Sequence, residues 1–170
     1  MLIRKEEPKD YDIVYSVVKA AFQHAEHSDG NEQDLVNAVR KGDAFIPDLS
    51  LVAEMDGKIV GHIMFTRAKV EENTVLALAP LSVLPKYQRR GIGVSLINAG
   101  HKIAKELGYV YSIVLGSQQY YPKSGYLPAD KFGIMPPFDV PSENFMACKI
   151  KEDAPGIHGT VKYAKEFGID

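Results

Sequence analysis

The densest chemistry in this sequence lies between positions 81 and 93, which read Leu81-Ser82-Val83-Leu84-Pro85-Lys86-Tyr87-Gln88-Arg89-Arg90-Gly91-Ile92-Gly93. A Gln-x-x-Gly-x-Gly string between a strand and a helix suits an anion. Glycine lets the main chain approach closely, and the amides and positive dipole end of a starting helix favour phosphate oxygens. Lys86, Arg89 and Arg90 add local positive charge to a chain whose formal net charge is −2. A pyrophosphate is the natural guest. Gly-x-Gly alone also describes an ordinary tight turn before a helix. The dinucleotide fingerprint Gly-x-Gly-x-x-Gly does not fit, because position 96 is Leu96.

Pro80, just upstream, adds a second requirement. Proline has no amide to give a strand ladder and sits in sheets only at edges or bulges, so pairing should break there. Freed main-chain groups could then accept an extended amide-bearing chain such as pantetheine as an extra strand. Leu-x-Val-x-Pro followed by Tyr-Gln-Arg-Arg-Gly-Ile-Gly-x-x-Leu resembles the acetyl-CoA motif of the GNAT superfamily of N-acetyltransferases. Further on, Tyr120-Tyr121-Pro122-Lys123-Ser124-Gly125-Tyr126 is similar to the second signature of that family, Tyr-x-x-x-Gly-Phe, with Tyr126 in place of phenylalanine. The match is good over residues 75–130, and the rest looks like a small bacterial-type branch of unassigned substrate.

The resemblance implies that main-chain groups of Leu81, Ser82 and Val83 bind the pantetheine and thioester of acetyl-CoA. It assigns the pyrophosphate to amides of Gln88, Arg89, Arg90, Gly91, Ile92, Gly93, Val94 and Ser95. The Val83 amide becomes the oxyanion donor. Tyr121 takes the catalytic position, as a phenol of pKa about 10 able to give a proton to a thiolate whose parent thiol has a pKa of about 8.5. Many relatives carry an asparagine seven residues earlier, where this chain has Val114; Ser117, Gln118 and Gln119 are nearby polar substitutes, with Ser117 the candidate cofactor contact. The implied fold is α/β (α+β): a mixed, mostly antiparallel central sheet of about six to seven strands, splayed around Val83, with helices on both faces. An amine acceptor is the implied partner, and a homodimer is left open because the family often dimerises.

An alkyl ammonium of pKa near 10.4 must lose a proton before it attacks a thioester. Glu32 and Glu26, on the polar stretch where the family places acceptor contacts, are the candidate bases, with Glu32 ahead. For each, the ordinary alternative is a solvated loop carboxylate or an acid at a helix start. His24, His27 and Glu26 together are expected to be surface residues, so no metal is expected.

The elements that must position these groups follow from periodicity. Residues 2–4 suit a strand. Pro8 and Asp10 open a helix with Ile13, Val14, Val17, Val18, Ala21 and Phe22 at helical spacing, and a second pattern with Leu35, Val36 and Val39 stops at Gly42. Residues 51–55 and 58–66 flank Asp56-Gly57, a strong hairpin signal, and residues 75–84 extend the meander. A helix from Gly91 to Leu107, with Leu96, Gly100, Ile103 and Leu107 on one face and Gly108 as its stop, precedes a buried strand at 109–115. That βαβ order predicts parallel strands. A short helix at 121–124 and a strand at 144–150 follow. The chain reads as a single acetyltransferase domain, 1–170, with a core of 1–150 and a C-terminal extension of 151–170.

Bulk composition excludes several classes. A 45% hydrophobic and 25% charged chain is ordinary globular material. The slight negative charge supplies no field for nucleic acid or an anionic membrane. The longest near-apolar run, 75–84, is broken by Pro80 and Ser82 and is far short of the roughly 20 residues of a membrane span. Residues 1–8, with Glu6 and Glu7, lack a secretory signal's apolar core, so a cytoplasmic location is expected.

Direct transfer within a ternary complex is the leading expectation. The alternatives are an inactive acyl-CoA-binding sensor, suggested by Val114, and an unrelated nucleotide binder using only residues 89–93. Cys148, the single cysteine, excludes an intrachain disulfide and reads as a small buried side chain in an apolar run. Cys148→Ala is expected to keep its turnover in a thiol-release assay; complete loss would instead indicate an acyl-cysteine intermediate.

Overall fold

Long, largely apolar strands and amphipathic helices produce one sheet sandwiched between helices. The computed structural model describes residues 1–25 and 28–169. Glu26, one of the two candidate bases, lies outside the described residues, with His27 and Asp170. In chain order the elements are β1 (Leu2–Lys5), α1 (Tyr11–Phe22), α2 (Glu32–Arg40), β2 (Phe45–Met55), β3 (Lys58–Val70), β4 (Asn73–Val83) and α3 (Ile92–Glu106). There follow β5 (Tyr111–Leu115), β6 (Leu127–Pro128), β7 (Ile134–Met135), β8 (Phe145–Lys149) and β9 (Gly159–Lys162). The sheet runs β1-β2-β3-β4-β5-β8-β6, with β9 added on β3 and β7 on β9. Seven strands lie on the main path, within the expected count; β7 and β9 are additions that short, glycine-bordered segments did not advertise.

Asp56 and Gly57 close the β2–β3 hairpin with φ of 52° and 78°, the paired positive angles a two-residue turn needs. β3 is buried along nearly its whole length, because helices cover both sides. On one face Leu51, Ala53, Ile63 and Phe65 meet Leu96 and Ile97 of α3. On the other, Val52, Ile59 and Met64 meet Val14, Val17 and Val18 of α1 and Val36 and Val39 of α2. Burying one such aliphatic side chain contributes about 1.5–3 kcal/mol. Beyond α1 and α2 the same face is covered by Ala154, Ile157 and Val161, which pack with Val70, Val75 and Ile113.

The apolar stripe of α3 is displaced from its expected position. Its buried residues are Ile92, Gly93, Leu96, Ile97, Gly100 and Ala104, whereas Ile103 is only partly buried and Leu107 is 45% exposed. Leu107 is the C-cap residue, past the last helical turn. Gly100 has a specific use: a Cβ there would run into the Phe65 ring, so its absence lets α3 lie close on the sheet.

The meander is interrupted where Pro80 stands. Ile63 pairs with Leu81 and Phe65 with Leu78, so β4 carries an extra residue between them. β4 then pairs with β5, in parallel as the βαβ order requires, only at Leu76–Ser112 and Ala77–Ile113. Beyond those residues the two strands part.

A buried polar cluster ties α2 to the sheet. Arg40 Nε donates to Glu6 (3.1 Å), the Ser50 hydroxyl donates to Glu6 (2.8 Å), and Ser50 Oγ lies 3.0 Å from His62 Nε2. Burial pushes the His62 imidazole down to about 4, and that of His101 likewise to about 4. The neutral histidines are native; the unfolded chain takes up protons below its usual pKa of about 6.5. Stability from these groups is therefore full above pH 6.5 and lost as pH falls towards 4. Thermal melts should show a loss on the order of 3 kcal/mol per histidine by pH 4, and His62→Asn should flatten the dependence.

Candidate active site

The parting of β4 from β5 leaves main-chain groups without partners. The Leu84 amide donates to the Val60 carbonyl (2.9 Å), which makes Gly61–Val83 a non-hydrogen-bonded pair in the antiparallel ladder. By alternation Ser82 exchanges hydrogen bonds with His62, and the polar groups of Leu81 and Val83 point the other way, into the wedge. The Val83 carbonyl is taken by Gln88, whose Nε2 donates to it at 3.0 Å. The Val83 amide has no acceptor among the described residues.

After a 3₁₀ turn at Pro85–Tyr87, Gly91 caps α3 with φ of 81°, a conformation only glycine adopts without strain. The Gln88 amide bonds Pro85 (3.4 Å) and the Ser95 amide bonds Gly91 (3.0 Å), so both are occupied. Between them the amides of Arg89, Arg90, Gly91, Ile92, Gly93 and Val94 find no acceptor among the described residues. These are the free donors of a helix start, with the positive end of its dipole behind them. A cavity of about 620 Å³ opens over them.

Leu81, Val83, Gln88 and Arg89 line this cavity with Gly91, Ile92, Gly93, Val94 and Tyr121. Ser82, Arg90 and Ser95 do not line it. The Ser82 side chain is buried with its hydroxyl unpartnered, the Arg90 guanidinium stacks 5.4 Å from the centre of the Tyr87 ring, and Ser95 is the fourth residue of the helix. Tyr87, Tyr120 and Lys123 also line the cavity; no spacing rule singles them out, because the fold brings them there.

Tyr120 and Tyr121 form the far wall. Each ring meets its neighbour edge-on, Tyr120–Tyr121 at 5.1 Å and Tyr121–Tyr126 at 5.8 Å between centroids. Pro122 starts the 3₁₀ turn Tyr121–Ser124, and Gly125 ends it with φ of 91°. Two glycines make room for the tyrosines: a Cβ on Gly93 would collide with the Tyr120 hydroxyl, and one on Gly116 with the Tyr121 ring. Burial, with Tyr120 adding to it, raises the Tyr121 phenol well above its ordinary value, so it stays protonated. Tyr126, where phenylalanine was the family pattern, uses its hydroxyl: Oη lies 2.8 Å from Ser112 Oγ and 2.9 Å from His101 Nε2.

The same two tyrosines wall a second cavity of about 1020 Å³. Glu32 and Ser28 line it from the α1–α2 side, and Ser117, Gln118 and Gln119 from the turn after β5. Ser117 is thus placed in this cavity and not in the first. Val114 is buried in the core under α3. Glu32 receives the Ser28 hydroxyl at 2.8 Å from one oxygen and 2.9 Å from the other. Val140, Pro141 and Asn144 complete the lining, giving a place to a proline-rich run that sequence reasoning could not locate. Cys148 lines neither cavity, and burial lifts its thiol to about 11. Among the described residues no group of three or more His, Cys, Asp or Glu is placed to hold a metal, and no helix is long and apolar enough to cross a membrane.

The chain matches the acetyltransferase (GNAT) family over residues 12–126 and belongs to that family. It is 39% identical over 122 residues to "Uncharacterized N-acetyltransferase YjhQ" of Escherichia coli K12, covering 69% of this chain and 67% of that protein. The crystal structure of the Escherichia coli GNAT family N-acetyltransferase YhbS in complex with CoA superposes with a TM-score of 0.89 at 27% identity, covering 98% of this chain and 91% of that one. A GNAT family acetyltransferase from Brucella melitensis in complex with acetyl-CoA gives 0.80 at 32% identity, covering 98% and 97%.

The contact between Gly93 and Tyr120 is testable. In a helix, glycine to alanine ordinarily stabilises by about 1 kcal/mol, but Gly93→Ala should lower the melting temperature. The double variant Gly93→Ala/Tyr120→Phe, which removes the colliding hydroxyl, should recover part of the loss.

Proposed function

We propose that acetyl-CoA lies with its thioester in the wedge beside Val83 and its pyrophosphate over the amides of Arg89 and Gly91 to Val94, and that the acetyl group passes to a primary amine entering through the second cavity. The observation that carries this reading is that Tyr121 walls both cavities. A phenol at that junction reaches the bond that breaks and the side from which the nucleophile comes. The CoA and acetyl-CoA complexes of the two structural relatives support the choice of donor.

The steps balance as follows. The acceptor arrives as an ammonium and gives one proton to Glu32, directly or through water. Its nitrogen lone pair attacks the thioester carbon, and the carbonyl π pair moves to oxygen, where the Val83 amide donates to the developing charge. As the tetrahedral adduct collapses, the carbon–sulfur bond breaks and Tyr121 gives its proton to the departing thiolate. One of the two protons left on nitrogen restores the phenol, and the other stays on the amide. The products are the acetamide and free CoA, with one net proton released. The Gln88 side chain holds the Val83 carbonyl and so fixes the peptide plane next to the reacting centre.

The placing of Tyr121 between the two cavities favours this catalytic reading over a binding-only module. Tyr121→Phe should lower kcat in a thiol-release assay by about 10²-fold, while thermal stabilisation by acetyl-CoA is retained. Because burial raises the phenol, wild-type kcat should rise with pH as the amine deprotonates and show no falling limb below about pH 10. Wild-type turnover by the phenylalanine variant would remove Tyr121 from the mechanism.

A further inference from the structure

The walls of the second cavity differ from those expected of a site for polycations. Phe22, Leu115, Val140 and Pro141 present carbon to its interior, and Leu115 is 50% exposed, a large apolar side chain at the end of a strand. Glu32 is the one charged side chain among the described residues that line it. Its carboxylate is oriented by the Ser28 hydroxyl, which in turn takes the Gly30 amide at 3.0 Å. Of the neighbouring acids in the sequence, Glu26 lies outside the described residues, Asp34 accepts the Tyr15 hydroxyl at 2.9 Å and Asp29 is exposed, and neither of these two lines the cavity.

We propose that the acceptor is a small amphipathic amine: one ammonium held by Glu32, on a short chain that carries an aromatic or branched aliphatic body seated against Phe22, Leu115, Val140 and Pro141. This rests on the reading of the second cavity as the acceptor side. An apolar body gains by displacing water from those four side chains. A polyamine or aminoglycoside would bring further ammonium groups against the same carbon wall, where a charge without a partner is strongly disfavoured. The polar edge formed by Gln118, Gln119 and Asn144 can accept a single hydroxyl or amide on the body without altering the class.

Thiol release with acetyl-CoA, measured on the full chain, separates the outcomes. We expect kcat/KM for 2-phenylethylamine to exceed that for ethylamine, spermidine and kanamycin by tenfold or more. Glu32→Gln should lower kcat/KM for 2-phenylethylamine at least tenfold while the thermal shift with CoA stays at its wild-type size. Leu115→Ala, at a surface position that does not threaten folding, should shrink the preference for 2-phenylethylamine over ethylamine several-fold. Preference for spermidine, kanamycin or a lysine peptide overturns the proposal and leaves acetyl transfer standing. Acetyl-CoA binding with no acetylation of any of these amines removes the proposed function itself, and this inference with it.

Discussion

Beyond Ala77 and Ile113 no ladder joins β4 to β5, and the site exists because of that parting. Two neighbouring parallel strands would normally satisfy each other's main chain and leave no room between them. Here the extra residue at Ala79-Pro80 and the continued pairing of Leu81 and Val83 with β3 carry β4 away from its neighbour. The free polar groups then face an opening whose floor is the start of α3. Packing of α3 on Phe65 through Gly100 holds that floor in place, so the donors are oriented before any ligand arrives, and little reorganisation is needed on binding.

The tyrosine wall is the second consequence. Tyr120 and Tyr121 follow β5 after the short turn at 116–119, so the strand that parts from β4 also delivers the phenols to the mouth of the wedge. Their position depends on two missing side chains, at Gly93 and Gly116. Gly93 therefore serves the ligand and the protein together: its amide is a free donor, and its bare Cα accommodates the Tyr120 hydroxyl. Tyr126 anchors the far side through Ser112 and His101, and leaving those buried polar atoms unpaired would cost about 1–3 kcal/mol. The Tyr121 ring thus rests on one that is itself held by hydrogen bonds.

The second cavity is fixed from further away. Glu32 stands in the first turn of α2, and Arg40 near its end is buried against Glu6, Ser50 and His62. Buried ion pairs of this kind add little net stability compared with apolar packing, but breaking one leaves a charge uncompensated. The cluster sets where α2 lies on the sheet and with it the position of the carboxylate. The opposite lip is formed by Val140, Pro141 and Asn144, which the pairing of β8 with β5 and β6 holds beside Gly116; the Asn144 side chain donates to the Gly116 carbonyl at 3.0 Å.

Features that depend on neighbours in the chain were legible in the sequence. Asp56-Gly57 specifies its turn through local φ angles, the helices declare themselves by period, Pro80 predicts a broken ladder because it lacks an amide, and the βαβ order implies parallel strands. The cofactor string around Gly91 is of the same kind, since a helix start is a local event. What required tertiary structure involves residues far apart in sequence. The buried stripe of α3 depends on how the helix lies across the sheet, which moved Leu107 to the surface. The free amides narrowed because Gln88 and Ser95 find partners in the protein, and Ser117 faces the second cavity because β5 ends one turn earlier. Strands β7 and β9 are too short to show a period and form only because a partner edge is offered. The second cavity joins segments around residues 22–25, 28–32, 115–121 and 140–144, and no local rule links side chains that only long-range packing brings together.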